Sequence, residues 1–255
     1  GIVAAGIASL FGLNLAKRGV EGAEYITPLV FMVVLGTVLL NAASARVLAK
    51  VIGVFLKQSN GILIVGASAF PRQVAKYLED NDRHVVLIDS NKTNIDEANK
   101  MGLEAISTNI YSDTLTDNIE LNDVGFLLAM TASDDINRFA IEKYGKDFGE
   151  NGAYRLNSSD PEANLEGEQE EGLFSHIDDF SSLAHVVEAH PEVKELPIES
   201  SAHYAKLMER TKDDPECIPL FVMDKSGELH ILTSYNRQTQ IDLKNSKLVY
   251  IGKDL

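Results

Sequence analysis

Hydrophobic and polar positions divide the chain into two regimes. Up to about residue 58 apolar residues come in long runs, and beyond it in short groups separated by polar turns. From Leu29 to Ala45 the string LVFMVVLGTVLLNAASA holds 17 residues without a charge. Extended to Ile26–Arg46 it gives a helix of about 30 Å, the thickness of one bilayer core. The opening run Gly1–Ala16 is also uncharged, and its first half carries Gly1, Ala4, Ala5, Gly6, Ala8 and Ser9, small residues that let helices approach closely in lipid. With no basic n-region and no helix cap, it reads as the tail of a truncated membrane helix and not as a signal peptide.

After Ser59-Asn60-Gly61 the period changes. Strands are predicted at Ile62–Gly66, His84–Asp89, Glu104–Thr108, Val124–Met130 and Ala153–Asn157, with helices at Pro71–Asn81, Thr93–Met101 and Asp135–Phe148 and a short piece, Ser112–Glu120, filling the remaining crossover. Parallel neighbours need crossover connections on the sheet faces, so this alternation predicts a doubly wound parallel α/β sheet of Rossmann type. A helix at Asp179–His190 completes it. From Val193 onward, a strand (Val193–Ile198), a helix (Ser201–Arg210), strands at Ile218–Asp224 and Glu228–Thr233 around Lys225-Ser226-Gly227, and a last strand at Lys247–Gly252 predict a small α+β module. The expected architecture is therefore two transmembrane helices (1–58), a Rossmann-like domain (59–190) and a C-terminal α+β module (191–255).

Charge sharpens the division. The 255 residues carry 38 acidic and 23 basic side chains, a net −15. Residues 1–58 hold Lys17, Arg18, Arg46, Lys50 and Lys57 against Glu21 and Glu24, which leaves −18 for the rest. So acidic a body repels phosphate backbones, and nucleic acid is excluded as a partner. Basic residues flank the far end of the second apolar run without an acid, so the positive-inside tendency puts residues from about 59 onward in the cytoplasm. Arg46–Lys57, basic among apolar positions, is expected to lie along the lipid headgroups as an extension of the second helix. Residues 160–179 hold eight carboxylates and no Lys or Arg, the pattern of a solvated loop. The single cysteine, Cys217, reads as a small apolar filler, and the six histidines show no metal-ligand spacing, so no metal site is expected.

Candidate chemistry gathers at the C-terminal ends of the predicted strands, where open α/β sheets bind ligands. Ile64-Val65-Gly66-Ala67-Ser68-Ala69-Phe70-Pro71 occupies the place of a dinucleotide fingerprint but supplies only the first of its three glycines. Ser68 puts a Cβ in the approach path while offering a hydroxyl, and Pro71 removes one N–H. Asp89, 23 residues after Gly66, has two readings: it accepts from ribose hydroxyls, or it caps the turn before Lys92. Thr131-Ala132-Ser133 ends the fourth strand with small polar residues, and Asp134 suits an N-cap.

Taken together these residues resemble a bacterial NhaP-type monovalent cation:proton antiporter fused to a cytoplasmic TrkA-N/RCK (KTN) domain. The membrane likeness rests on Gly1-Ile2-Val3-Ala4-Ala5, Ser9-Leu10-Phe11, Leu29-Val30-Phe31, Gly36-Thr37-Val38-Leu39, Ala45-Arg46 and Val51-Ile52-Gly53-Val54; the cytoplasmic likeness, on Ile62–Gly66, Val86–Asp89 and Thr131–Asn137. The resemblance implies the C-terminal part of a multi-pass inner-membrane protein, commonly a homodimer. Upstream helices would carry sodium or potassium and protons, and the cytoplasmic domain would regulate exchange without being an enzyme. It implies nucleotide contacts at Gly66, Ser68, Asp89, Asn109, Thr131 and Ser133, and leaves NAD(H), an adenine mononucleotide or no ligand at all as the alternatives. Where that family commonly has Gly-Asp after the third strand, this chain has Thr108-Asn109.

Overall fold

The long apolar runs become helices. In the computed structural model, which describes residues 2–52, 60–112, 121, 123–156, 172–174, 179–212, 214–233 and 243–255, the first unit (Gly1–Lys57) contains α1 (Ile2–Lys17), a 3-10 turn (Ala23–Tyr25) and α2 (Ile26–Ile52). The two helices meet closely at Gly12: a Cβ there would lie 2.9 Å from Thr27 Oγ1. Among the described residues one helix, Ala23–Ala45, is long and apolar enough to cross a membrane, where two were expected. The 16 residues of α1 fall short of the roughly 20 that a bilayer core requires. Met32, Val33, Leu35 and Leu40 of α2 are each more than 60% exposed, an outward apolar surface that water does not favour. The backbone of α2 continues through Ile52; side chains from 46 and all of residues 53–59 lie outside the described residues.

The second unit (Gln58–Leu255) begins with β1 (Gly61–Val65), α3 (Ala69–Asp80), β2 (Val85–Asp89), α4 (Lys92–Lys100), β3 (Glu104–Ser107), β4 (Val124–Ala129), α5 (Asp134–Phe148) and β5 (Gly152–Arg155). The strands pair in parallel in the order β3-β2-β1-β4-β5. Strand periodicity sorts the side chains: Ile62 and Ile64 pack with Phe70, Val74 and Leu78 of α3, while Leu63 and Val65 pack with Ala140, Tyr144 and Phe148 of α5. Both faces of the inner strands are covered, which is why β1, β2 and β4 read as continuous apolar groups. The piece expected over Ser112–Glu120 and most of the acidic run 160–179 lie outside the described residues.

Beyond it come α6 (Phe180–Ala189), β6 (Val193–Pro197), α7 (Ser201–Thr211), β7 (Cys217–Met223), β8 (Leu229–Ile231) and β9 (Lys247–Gly252). The four strands form an antiparallel sheet in the order β6-β9-β7-β8. One of its faces, with Ile218, Phe221, Val249 and Ile251, shares a single hydrophobic cluster with α3, α6 and the parallel sheet; the other, with Val222 and Leu248, takes Tyr204, Leu207 and Met208 of α7. Phe174, fully buried, sits edge-on to both Phe70 and Phe221 and links the two sheets. Cys217 is buried, and burial pushes its thiol up to about 12, so it stays protonated as a filler.

Candidate functional site

The strand order reverses direction between β1 and β4: the chain leaves β1 for α3 on one face and β4 for α5 on the other. The loops part there, above the C-terminal ends of the strands, and leave a crevice. It is a cavity of about 250 Å³. Val65, Ile88, Ile110, Met130, Ile136 and Phe180 supply apolar walls, and Ser68, Asp89, Ser90, Asn91, Asn94, Thr108, Asn109 and Thr131 the polar ones.

Gly66 closes β1 with a φ of +109°, and a Cβ on it would lie 2.8 Å from the carbonyl oxygen of Met130. The neighbouring strand end thus demands glycine, whatever occupies the crevice. Ser68 is the N-cap of α3, yet its side chain makes no cap hydrogen bond, so its hydroxyl is not spent on the helix. The amides of Ala69 and Phe70 lie in the first turn, where helix geometry provides no acceptor, and Pro71 has no amide to offer.

Asp89 caps the turn before Lys92, as one of its two expected readings has it, and it also binds a neighbouring loop. Its Oδ2 accepts from the Ala67 amide at 2.9 Å and from Asn94 Nδ2 at 2.9 Å, and its Oδ1 accepts from the Asn91 amide at 2.8 Å. The carboxylate ties the β1 loop to the start of α4. Capping of α4 falls to Asn91, whose side chain accepts from the Thr93 amide. A carboxylate has about four acceptor positions, and among the described residues three donors occupy those of Asp89.

Asn109 lines the crevice, with its side-chain oxygen accepting from the Tyr111 amide at 3.0 Å and turning the chain there. The rest of its polar group is a neutral amide donor, where an acid would accept. Thr131 is held by Asn137: Asn137 Oδ1 accepts from the Thr131 amide (2.9 Å) and hydroxyl (2.8 Å), and its Nδ2 donates to the Thr131 carbonyl (3.0 Å). Ser133 is not part of the lining. It is the N-cap of α5, accepting from the Ile136 amide, a role the sequence suggests for Asp134. The N-cap needs extended backbone, which Ser133 has; Asp134 is already helical, and its charge there favours the positive end of the helix dipole.

The crevice therefore gathers Gly66, Ser68, Asp89, Asn109 and Thr131, and leaves Ser133 outside as a cap. Asn94, Asn137 and Phe180 were missed. For Asn137 a signal existed: a poor helix former one turn after a cap, 1% exposed, wants a polar partner of its own.

Residues 62–165 match the family model described as the TrkA-N domain. This chain carries a TrkA-N domain. Among solved structures it is similar to one titled "Crystal Structure of the GsuK RCK domain", at 14% identity and a TM-score of 0.36 over 78% of this chain and 45% of that one. N5-carboxyaminoimidazole synthetase from Staphylococcus aureus aligns at 12% identity and a TM-score of 0.29, over 78% of this chain and 48% of that one. N5-carboxyaminoimidazole ribonucleotide synthetase from Thermus thermophilus does so at 12% and 0.29, over 76% and 47%. This chain spans less than half the length of each of these structures. No curated protein matches it.

The residues present fit one phosphate better than two. A pyrophosphate needs backbone close to a glycine-rich turn, whereas here Ser68 carries a side chain, Pro71 lacks its donor and the Ala67 amide is taken by Asp89. The volume, about 250 Å³, is also at or below the roughly 300–1,000 Å³ of pockets that enclose larger ligands.

Proposed function

We propose that this chain is the C-terminal part of a bacterial monovalent cation:proton antiporter, whose TrkA-N domain is a cytoplasmic regulator that reads an adenine mononucleotide. The observation that carries the reading is the occurrence, in one chain, of an outward-facing apolar helix of spanning length and a TrkA-N domain. In this reading α1 and α2 are the last two membrane helices, α1 being continued upstream. Sodium or potassium and protons pass through helices that precede them, and the assembly is a homodimer. No catalytic step is assigned: the domain acts by binding. In the crevice the Ser68 hydroxyl and the first-turn amides of α3 receive a phosphate, a further acceptor position on Asp89 receives a ribose hydroxyl, and Ile88, Ile110 and Phe180 flank the base. A nucleotide alters exchange only through unequal affinity for two arrangements of the domain.

The test uses everted membrane vesicles from cells making the full-length product, with proton and cation movement followed together on addition of Na⁺ or K⁺, with and without AMP, ADP, ATP or NADH. Coupled exchange that a mononucleotide shifts is the expected result. K⁺ movement without proton movement would make the product a channel or transporter regulator instead. Exchange indifferent to every nucleotide ends the sensing proposal, and a product that stays in solution without detergent ends the membrane one.

A further inference from the structure

We propose that Asp224, Glu228 and His230, on the hairpin between β7 and β8, bind a divalent transition-metal ion. One ligand atom from each of the three lies within 4.8 Å of the other two. His230 Nε2 lies 3.8 Å from Asp224 Oδ2, too long for a hydrogen bond. That separation is near the roughly 3.4 Å between two ligands each about 2.1 Å from a tetrahedral ion. The exposed Glu228 side chain has the rotamer freedom to close the remaining gap.

The hairpin prepares the Asp224 ligand. Its Oδ1 accepts from the Ser226 amide (2.8 Å), the Ser226 hydroxyl (2.6 Å) and the Glu228 amide (2.9 Å). These bonds fix the carboxylate and leave Oδ2 as the atom toward His230. Pairing of Met223 with Leu229 and of Val222 with His230 sets the register that brings His230 back beside Asp224. Arg83 donates to the Gly227 carbonyl and anchors the tip. Among the described residues no hydrogen bond is made by the Glu228 carboxylate or by the His230 ring, so neither must break one to ligate.

One imidazole with two carboxylates suits Zn²⁺ or Mn²⁺ better than Ca²⁺, which takes oxygen ligands alone. Three protein ligands leave positions for water, as in an open site. The test is calorimetric titration of the full chain, held in detergent, with ZnCl₂ and separately with CaCl₂. One Zn²⁺ per chain should bind saturably. Since loss of an outer-shell partner alone costs roughly 10- to 100-fold in affinity, Glu228→Gln and His230→Gln should each weaken binding at least about tenfold. Both leave the Asp224 turn intact, and an unchanged circular dichroism spectrum checks that. No saturable Zn²⁺ binding, wild-type affinity in either variant, or Ca²⁺ binding as tight as Zn²⁺ would overturn the assignment. The outcome is independent of any nucleotide.

Discussion

Replacing Asp89 by alanine separates a ligand contact from a structural clasp. The carboxylate serves three donors, the Ala67 and Asn91 amides and the Asn94 side chain, all at 2.8–2.9 Å. Their environments differ. Ala67 is 0% exposed, so its amide has no water to turn to, and a stranded buried donor costs about 1–3 kcal/mol. Asn91 is exposed and Asn94 half-buried, so their donors rehydrate and add little. For a unit of this size about 1 kcal/mol moves the midpoint by roughly 2–4 °C, so Asp89→Ala should melt about 2–12 °C lower with no nucleotide present. Asp89→Asn, which keeps one acceptor oxygen, should lose less. Thermal melting of the full chain in detergent gives the shift, and hydrogen exchange at the Ala67 amide localises it. An alanine variant with unchanged melting and unchanged Ala67 exchange, but no nucleotide binding, would mean that the carboxylate serves only the ligand, and the clasp would be refuted.

Gly66→Ala should destabilise the same unit by about 1–3 kcal/mol or more, because a side chain is forced into a φ of +109° with its Cβ 2.8 Å from a backbone oxygen; a wild-type urea midpoint would contradict this. At the opposite end of the parallel sheet His84 lies between Asp123 (Nδ1 to Oδ1, 2.9 Å) and Glu104 (Nε2 to Oε2, 3.2 Å). Burial disfavours its charge, but the hydrogen bonds to Asp123 and Glu104 prevail and raise its pKa above the ordinary 6.5. A raised folded value means that the stabilisation is complete below about pH 6.5 and is lost as pH climbs through the raised value. Melting temperatures from pH 5 to 9 should therefore show a decline that His84→Gln removes; an identical profile in the variant would rule the clasp out.

Much of the fold was legible because the inner strands of the parallel sheet, β1, β2 and β4, are short apolar groups buried on both faces, and each helix between them shows its own period. Ile62–Val65 sends alternate residues to α3 and α5, and any register that does so leaves few other topologies. The crevice was legible as a place, since it follows from strand ends and strand order. The use of its residues was not. Asp89 reaches the Ala67 amide 22 positions away, and sequence distance does not say whether a carboxylate points at a ligand or at a neighbouring loop. Ser133 and Asp134 are both good caps, and only the backbone angle chooses between them. The hairpin triad escaped because one histidine has no spacing to read; a turn brings its carboxylate partners together.

Helix α3 belongs to both halves of the second unit, and this gives binding a route to the antiparallel sheet. Its first turn carries Ser68 at the crevice and Phe70, edge-on to Phe174, which is in turn edge-on to Phe221 of β7. Farther along, the Tyr77 hydroxyl donates to Glu195 of β6 at 2.9 Å, and Lys247 of β9 donates to the same carboxylate at 2.6 Å. Lys247 holds Glu195 ionised, while burial and then that carboxylate keep Tyr77 protonated far above its usual range, so donor and acceptor keep their roles across the physiological interval. Close packing transmits a displacement instead of absorbing it. A ligand that favours one position of α3 would act on β6 through these contacts, by no more than its difference in affinity for the two positions. A nucleotide held only by the apolar walls, without touching the Ser68 turn, would bind and leave the antiparallel sheet where it was.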